Sequence, residues 1–184
     1  MKKKKRQRIK EGAIVRIELS EDRLAFGRLF PGGRIGVYDY TSTIEKEYLS
    51  IEELIGFPIF LYCVVYDDVI TRGMFDIIGF KELTQTEIDK MPPMFMQDIM
   101  NIDDCVIFDY NGNEKKVTPQ ECIGLERASV WEAHGLVKRI EDYYAGKKNF
   151  NVELNKPILS KEDPRYMAGP NLKWSFEEEK FYKT

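Results

Sequence analysis

The sequence predicts a mostly β protein with some α, an α+β fold. It would comprise a small, strongly bent antiparallel sheet or β-barrel, one long C-terminal helix and an extended C-terminal tail. Three observations predict it. Short apolar or alternating runs separated by breakers fill residues 13–40, an Asn-Gly pair at 111–112 stands between two further runs of that kind, and a long stretch with helical spacing comes late, at residues 129–146. The first two are the patterns of strands and hairpins, and the third is that of an amphipathic helix.

In AIVRIEL, at residues 13–19, Val15, Ile17 and Leu19 alternate with Arg16 and Glu18, the period of a strand with one wet face. The polar turn SED follows, and then RLAFGRLF and RIGVYDY flank PGG, a cluster suited to a turn. An antiparallel meander of three strands is expected, with Gly27 and Gly36 marking bulges or sharp bends. In SIEELIGFP, Ser50 and Glu53 have the spacing of a capping box before a short helix that Pro58 ends. Residues 59–66, IFLYCVVY, are apolar on both parities and predict a strand covered on both faces, closed by Asp67 and Asp68. Residues 71–83 read as another strand, and residues 85–98, with Pro92 and Pro93, as an irregular stretch.

CVIFDY and NEKKVT flank Asn111-Gly112, which predicts a hairpin closed by a type I′ turn. The late helix carries a capping box at Ser129 and Glu132, a stop at Gly146, and Ala133, Val137, Ile140 and Tyr144 on one face. Gly135 within it predicts tight packing. Residues 147–184 have no sustained period. The expected organisation is a basic head at residues 1–10, a single β-rich domain at 11–146, and a tail at 147–184 that docks on the domain through Trp174, Phe176, Phe181 and Tyr182.

Charge is distributed unevenly. The formal charge is −3 overall, but seven basic residues and no carboxylate occupy residues 1–10, while residues 11–146 hold 25 carboxylates against 13 lysines and arginines. Local charge sets the field, so the folded part should repel phosphate backbones and attract cations or a basic protein. The three cysteines, Cys63, Cys105 and Cys122, lie in or beside apolar runs and predict free thiols in a reducing compartment. The basic head is not followed by the apolar run of a secretory signal. The longest apolar stretch, residues 59–66, is far below the roughly 20 residues of a spanning helix. A soluble, cytoplasmic protein without membrane contact is expected.

Few residues point to chemistry. His134 stands alone in the sequence, the cysteines lack C-x-x-C spacing, and no metal is expected. The glycines of GRLFPGGRIG lie between strands rather than between a strand and a helix, which argues against phosphate cradling. DYNGNE at residues 109–114 lacks the glycine position of a calcium loop. No spacing selects a catalytic pair among the many carboxylates, and neither enzymatic activity nor a cofactor is predicted. A carboxylate-dependent hydrolase stays open as an alternative. So does a nucleic-acid-binding β-barrel that uses the lysine-rich head, although no stacking aromatic accompanies the lysines.

The feature that stands out is the span 39–109, with 15 carboxylates against Lys46, Arg72, Lys81 and Lys90, a formal charge of −11. Within it Asp67, Asp68, Asp98, Asp103 and Asp104 are candidate contacts for a cationic protein. Phe95, beside them in PPMFMQD, is either an interface anchor or a core residue, and Trp131 poses the same choice.

Taken in order, KEGAIVRIEL, RLAFGRLF, RGMFDIIGFKEL, PPMFMQD, ECIGLE and VWEAHGLVKRIEDYYAG resemble the immunity protein 26 family of bacterial polymorphic toxin systems, over residues 9–146. Phe75 stands where the family pattern has Trp. The resemblance implies a mostly β, barrel-like, non-catalytic protein that protects its cell by binding a cognate toxin domain, a basic nuclease being one such target. The oligomeric state is left open.

Overall fold

The computed structural model describes residues 6–20, 22–44 and 49–184. Half of the predicted basic head, Glu21 of the SED turn, and Glu45, Lys46 and Glu47 of the acidic span lie outside the described residues. The chain forms two compact units, Met1–Met91 with Ser129–Glu141, and Pro92–Ala128 with Asp142–Thr184.

The first unit is a six-stranded sheet. Its strands are β1 (Ala13–Glu18), β2 (Arg23–Phe30), β3 (Arg34–Thr43), β4 (Ile59–Val65), β5 (Asp76–Phe80) and β10 (Val130–Trp131), in the order β10-β4-β3-β2-β1-β5. The predicted three-strand meander is its centre, and all pairs are antiparallel except β10 with β4. From Leu24 to Phe30 every residue of β2 is buried, so this strand requires cover on both faces. On one face Ile14, Leu24, Phe26 and Tyr38 pack with Leu54 of α1 (Ile51–Leu54), with Tyr40, Phe57, Ile59 and Ile78 around them. The predicted capping box of α1 forms, with Glu53 N donating to Ser50 Oγ and Ser50 N to the Glu53 carboxylate. A Cβ on Gly79 would lie 2.6 Å from Ile51 Cδ1, so the missing side chain is what lets α1 settle on β5.

Three register shifts, between Ile14 and Val15, Ala25 and Gly27, and Val37 and Tyr38, bend the sheet. Gly27 marks one of them, as its place in a strand pattern predicts. Gly36 instead makes room for the rings of Phe30 and Tyr62 and the end of Ile59. The bending does not close a barrel, and the sheets are open. Six strands with a two-residue edge at β10 are too few and too short to meet across the gap. The other edge is occupied. Gln7 Nε2 donates to Ile70 O at 2.9 Å and Phe75 O at 2.7 Å, and Ile77 N donates to Gln7 Oε1 at 2.6 Å.

Among the buried polar side chains of this sheet, Arg28 is the least exposed. Arg28 of β2 is 2 % exposed; its Nη1 donates to Glu87 Oε1 at 2.6 Å and its Nη2 to the carbonyls of Lys81 and Glu82, each at 2.9 Å. Glu87 belongs to α3 (Gln85–Asp89), and its other oxygen accepts from Thr84 N and Oγ1 in the capping box. Burial raises the Glu87 carboxyl, but the bonds from Thr84 and Arg28 together outweigh it and hold the group below the usual range. Nearby, burial pushes the Tyr38 hydroxyl up to about 12 against the opposing pull of Arg28.

Two expected elements are shorter than predicted. The strand of residues 71–83 is confined to β5, because residues 67–71 form a helix, α2 (Asp67–Thr71), opened by the two aspartates that were read as the end of β4. The late helix, α4 (Ala133–Tyr144), starts after Val130 and Trp131 have joined the sheet as β10. Its fully buried side chains are Leu136 and Ile140, and Gly135 lies against the Trp131 ring.

The second unit is built on β6 (Met94–Gln97), β7 (Cys105–Phe108), β8 (Glu114–Val117) and β9 (Glu126–Arg127), in the order β8-β7-β6-β9. The β7–β8 hairpin is the predicted one, but its connection is a five-residue loop, with Phe108 opposite Glu114. Gly112 has positive φ and Asn111 does not. A type I′ turn is therefore not formed, and Asp109 organises the loop by accepting from Asn111 N and Asn113 N.

Residues 147–184 contribute α5 (Phe150–Asn155) and a hairpin of β11 (Leu172–Ser175) and β12 (Lys180–Lys183). Of the four aromatics expected to pack, Trp174 and Phe181 form a cluster with Phe150 at centroid separations of 4.7–5.8 Å, whereas Phe176 is 85 % exposed. Gln97 ties this region to β6, donating to Ile158 O at 2.7 Å and accepting from Ile158 N at 2.8 Å.

Replacing Arg28 by Met removes the donor from Glu87 and from two carbonyls. Urea unfolding should show a loss of about 3 kcal/mol, and an unchanged midpoint would mean that the guanidinium contributes nothing net.

Candidate protein-docking site

The parallel pairing of β10 with β4 decides which side chains meet at one end of the sheet. Val64 pairs with Val130 and Val65 with Trp131, and Tyr66 N donates to Trp131 O at 3.2 Å. Parallel strands leave the sheet at the same end, so the residues that follow β4 and those that follow β10 emerge side by side. They line an open groove of about 650 Å³ bounded by Tyr66, Asp67, Asp68, Met74, Glu132, Ala133 and His134. Segments far apart in sequence, residues 66–74 and 132–134, thus contribute three carboxylates to one concavity.

Each side of the groove has a local cause. Asp67 and Asp68 occupy the first turn of α2, where the unpaired N–H groups favour negative charge. Asp68 also faces Arg72, one turn later, at 3.7 Å. Met74 is held by Met74 N donating to Val69 O at 3.0 Å. Glu132 Oε2 lies 3.2 Å from His134 Nδ1. Tyr66 and Met74 are both about half exposed. The combination offers apolar surface for a stem and carboxylates for a cationic tip, which is how a long basic side chain is held.

The candidate residues read from the sequence divide into three groups. Asp67 and Asp68 fall together in the groove. Asp98, Asp103 and Asp104 fall together in the exposed β6–β7 connection of the second unit. There Asp98 Oδ1 accepts from Met100 N at 2.7 Å and Asn101 N at 3.3 Å, so this carboxylate orders its own turn. Asp104 lies 3.7 Å from Lys116.

Phe95 must be corrected as a contact residue. It is 0 % exposed, in a core cluster with Cys105 and Cys122, and a side chain without surface cannot grip a partner. The exposed apolar groups beside these aspartates are instead Met96, Ile99 and Met100. The expectation of free thiols holds, and all three cysteines are buried. Trp131 is also buried, at 5 % exposure, with Arg139 stacked over its ring at 4.8 Å.

That Tyr66, Met74, Glu132 and His134 would share a groove has no signal in the sequence, because residues 66–74 and 132–134 meet through a two-residue strand that carries no periodicity. Among the described residues no group of three or more His, Cys, Asp or Glu side chains is placed to hold a metal ion. Several carboxylates have displaced pKa values, and the displacement is downward: Ser50 holds Glu53 low, Asn113 holds Asp109 low, and Ser20 holds Glu141 low through hydrogen bonds. No described helix is long and apolar enough to cross a membrane.

Comparison with known families supplies the class, which is that of an immunity protein. The chain belongs to the immunity protein 26 family, whose model matches residues 10–106, just over half of the 184. The match covers β1 to the start of β7, including Asp67, Asp68 and Met74, and ends before ECIGLE and the late helix. No curated protein and no solved structure matches the chain.

The packing role of Phe95 is testable against its exposed neighbour. Phe95→Ala should lower stability by about 3–5 kcal/mol, while Met100→Ala should change it by no more than about 0.5 kcal/mol. Equal, small effects in urea unfolding would contradict the assignment.

Proposed function

We propose that this immunity protein acts in the cytoplasm by binding a cognate toxin domain directly, with the groove of Tyr66, Asp67, Asp68, Met74 and Glu132 receiving basic side chains of the toxin. The observation that carries this reading is the parallel β4–β10 pairing, which gathers three carboxylates around half-exposed apolar groups in the unit that holds most of the family match. The formal charge of −11 over residues 39–109 supports a cationic partner, since complementary fields raise association rates and fix orientation.

The action is occlusion, both steric and electrostatic, and needs no cofactor. A nuclease cleft is lined by basic groups that bind phosphates, and an acidic protein surface can cover it in place of the nucleic acid. Tight inhibition calls for an interface of roughly 1,200–2,000 Å² in total. The groove alone is smaller than that, and the exposed β6–β7 connection, with Asp103, Asp104, Ile99 and Met100, is a second contact surface of matching chemistry.

The test is binding to a cognate toxin domain. The triple variant Asp67→Asn, Asp68→Asn, Glu132→Gln should weaken binding by about 100-fold with urea stability retained. An equal neutralisation in the β11–β12 turn, Glu177→Gln, Glu178→Gln, Glu179→Gln, should leave affinity within about threefold. Unchanged affinity in the groove variant overturns the reading.

A further inference from the structure

We propose that Asn111 is a self-modification site: its side-chain amide is lost without an enzyme, the residue becomes aspartate or isoaspartate, and the hydrogen bonds gathered by Asp109 set the rate. Asparagine is a chemically labile residue. It is most labile before glycine, because the attacking atom is the backbone nitrogen of the next residue and a Cβ there crowds its approach. Of the seven asparagines of the chain, Asn111 alone precedes glycine.

The loop between β7 and β8 leaves the reacting groups accessible. Asn111, Gly112 and Asn113 are all exposed. Gly112 has φ +79°, and a Cβ built on it would meet nothing within 4 Å, so the loop has room to turn. The Asn111 backbone N–H is engaged by Asp109, whereas among the described residues the Asn111 carboxamide takes no hydrogen bond. That side chain can therefore swing toward Gly112 N.

The step balances with water and hydroxide alone. Hydroxide takes the Gly112 N–H proton and the nitrogen bonds to Asn111 Cγ. Nδ2 leaves as ammonia with a proton from water, which regenerates the hydroxide and closes a cyclic imide. Water then opens the imide at either carbonyl. Breaking the bond between Cγ and nitrogen gives aspartate, and breaking that between the main-chain carbonyl carbon and nitrogen gives isoaspartate. Either product carries a new carboxylate two residues from Asp109, and isoaspartate also lengthens the loop backbone.

Asp109 restrains the step twice. Its main-chain O accepts from Gly112 N at 3.2 Å, which keeps the nucleophile protonated. Its carboxylate accepts from Asn111 N at 2.8 Å, Asn113 N at 3.0 Å and Asn113 Nδ2 at 2.8 Å, pinning the residues on either side of the glycine. The bond from the Asn113 side chain holds the Asp109 carboxyl below its usual range, so the acceptor is charged at neutral pH and above. The loop must open before the ring closes, and losing a hydrogen bond to a charged acceptor is worth about tenfold in the open population. The converted fraction thus records the age of the folded chain, whatever the protein binds.

The experiment ages the folded full-length protein in mildly alkaline buffer beside the Asp109→Ala and Asn111→Gln variants and the urea-unfolded chain. Amide loss is read by peptide mass spectrometry, and hydroxylamine, which cleaves the imide, is the probe in a parallel set. The unaltered folded chain should lose amide at Asn111 while the other six asparagines keep theirs. It should do so more slowly than the unfolded chain, and hydroxylamine should split it between residues 111 and 112. Asn111→Gln should show neither loss nor cleavage there. Asp109→Ala should lose the Asn111 amide about tenfold faster than the unaltered chain, with its urea midpoint retained, which separates a released loop from an unfolded protein. If the folded chain keeps the Asn111 amide while the unfolded chain loses it, or loses it no faster than at the other asparagines, the site is overturned. A rate in Asp109→Ala equal to or below that of the unaltered chain overturns the part assigned to Asp109.

Discussion

Strand β2 has no wet face, and much of the first unit follows from that. Seven consecutive buried residues must be covered above and below, yet one of them, Arg28, cannot be buried without acceptors. The strand therefore dictates two kinds of neighbour. Apolar cover comes from α1 and the aromatics that surround Leu54, and polar cover comes from the segment 81–87, which bends over the sheet so that two carbonyls and Glu87 meet the guanidinium. Glu87 serves twice, capping α3 and neutralising Arg28. A single side chain thus links the sheet centre to the connection that leads out of the unit.

A backbone-acting side chain recurs where this chain must secure an edge or a tail. Gln7 satisfies donors and acceptors around the turn before β5, and Gln97 does the same for Ile158 in the second unit. A primary amide supplies both a donor and an acceptor, as a strand would. Edge β5 is in this way kept from offering its full ladder to other chains, a hazard for any open sheet. The parallel β10, only two residues long, fixes the opposite edge and in doing so assembles the groove. The groove arises from strand direction: had β10 run antiparallel, Glu132 would have left the sheet at the end far from Asp67.

What could be read in the sequence was what repeats or has a fixed spacing. The alternation of β1, the breaker cluster before β3, the Ser50–Glu53 box and the β7–β8 hairpin all carry local signals and all form. The Thr84–Glu87 box has the same signal and lay unread inside a stretch dominated by its prolines. The type I′ turn failed because Asp109 captures the loop amides before Asn111-Gly112 can close alone. The barrel failed for a non-local reason, the shortness of an edge strand that no window of residues reveals. Of the candidate contacts, the aspartates were legible as surface by their charge, whereas Phe95 stayed open between interface and core because alternation fails in β6, where Met94 and Phe95 are both buried. The groove itself was invisible, since it depends on residues 66–74 meeting residues 132–134.

Under the proposed function, this groove is where the protein engages its toxin. Hydrogen exchange of the intact protein, alone and saturated with the toxin domain, tests it most directly. Slowed exchange should concentrate at residues 66–74 and 132–134 in the complex. Protection confined to other surfaces, with those amides exchanging as in the free protein, would contradict it.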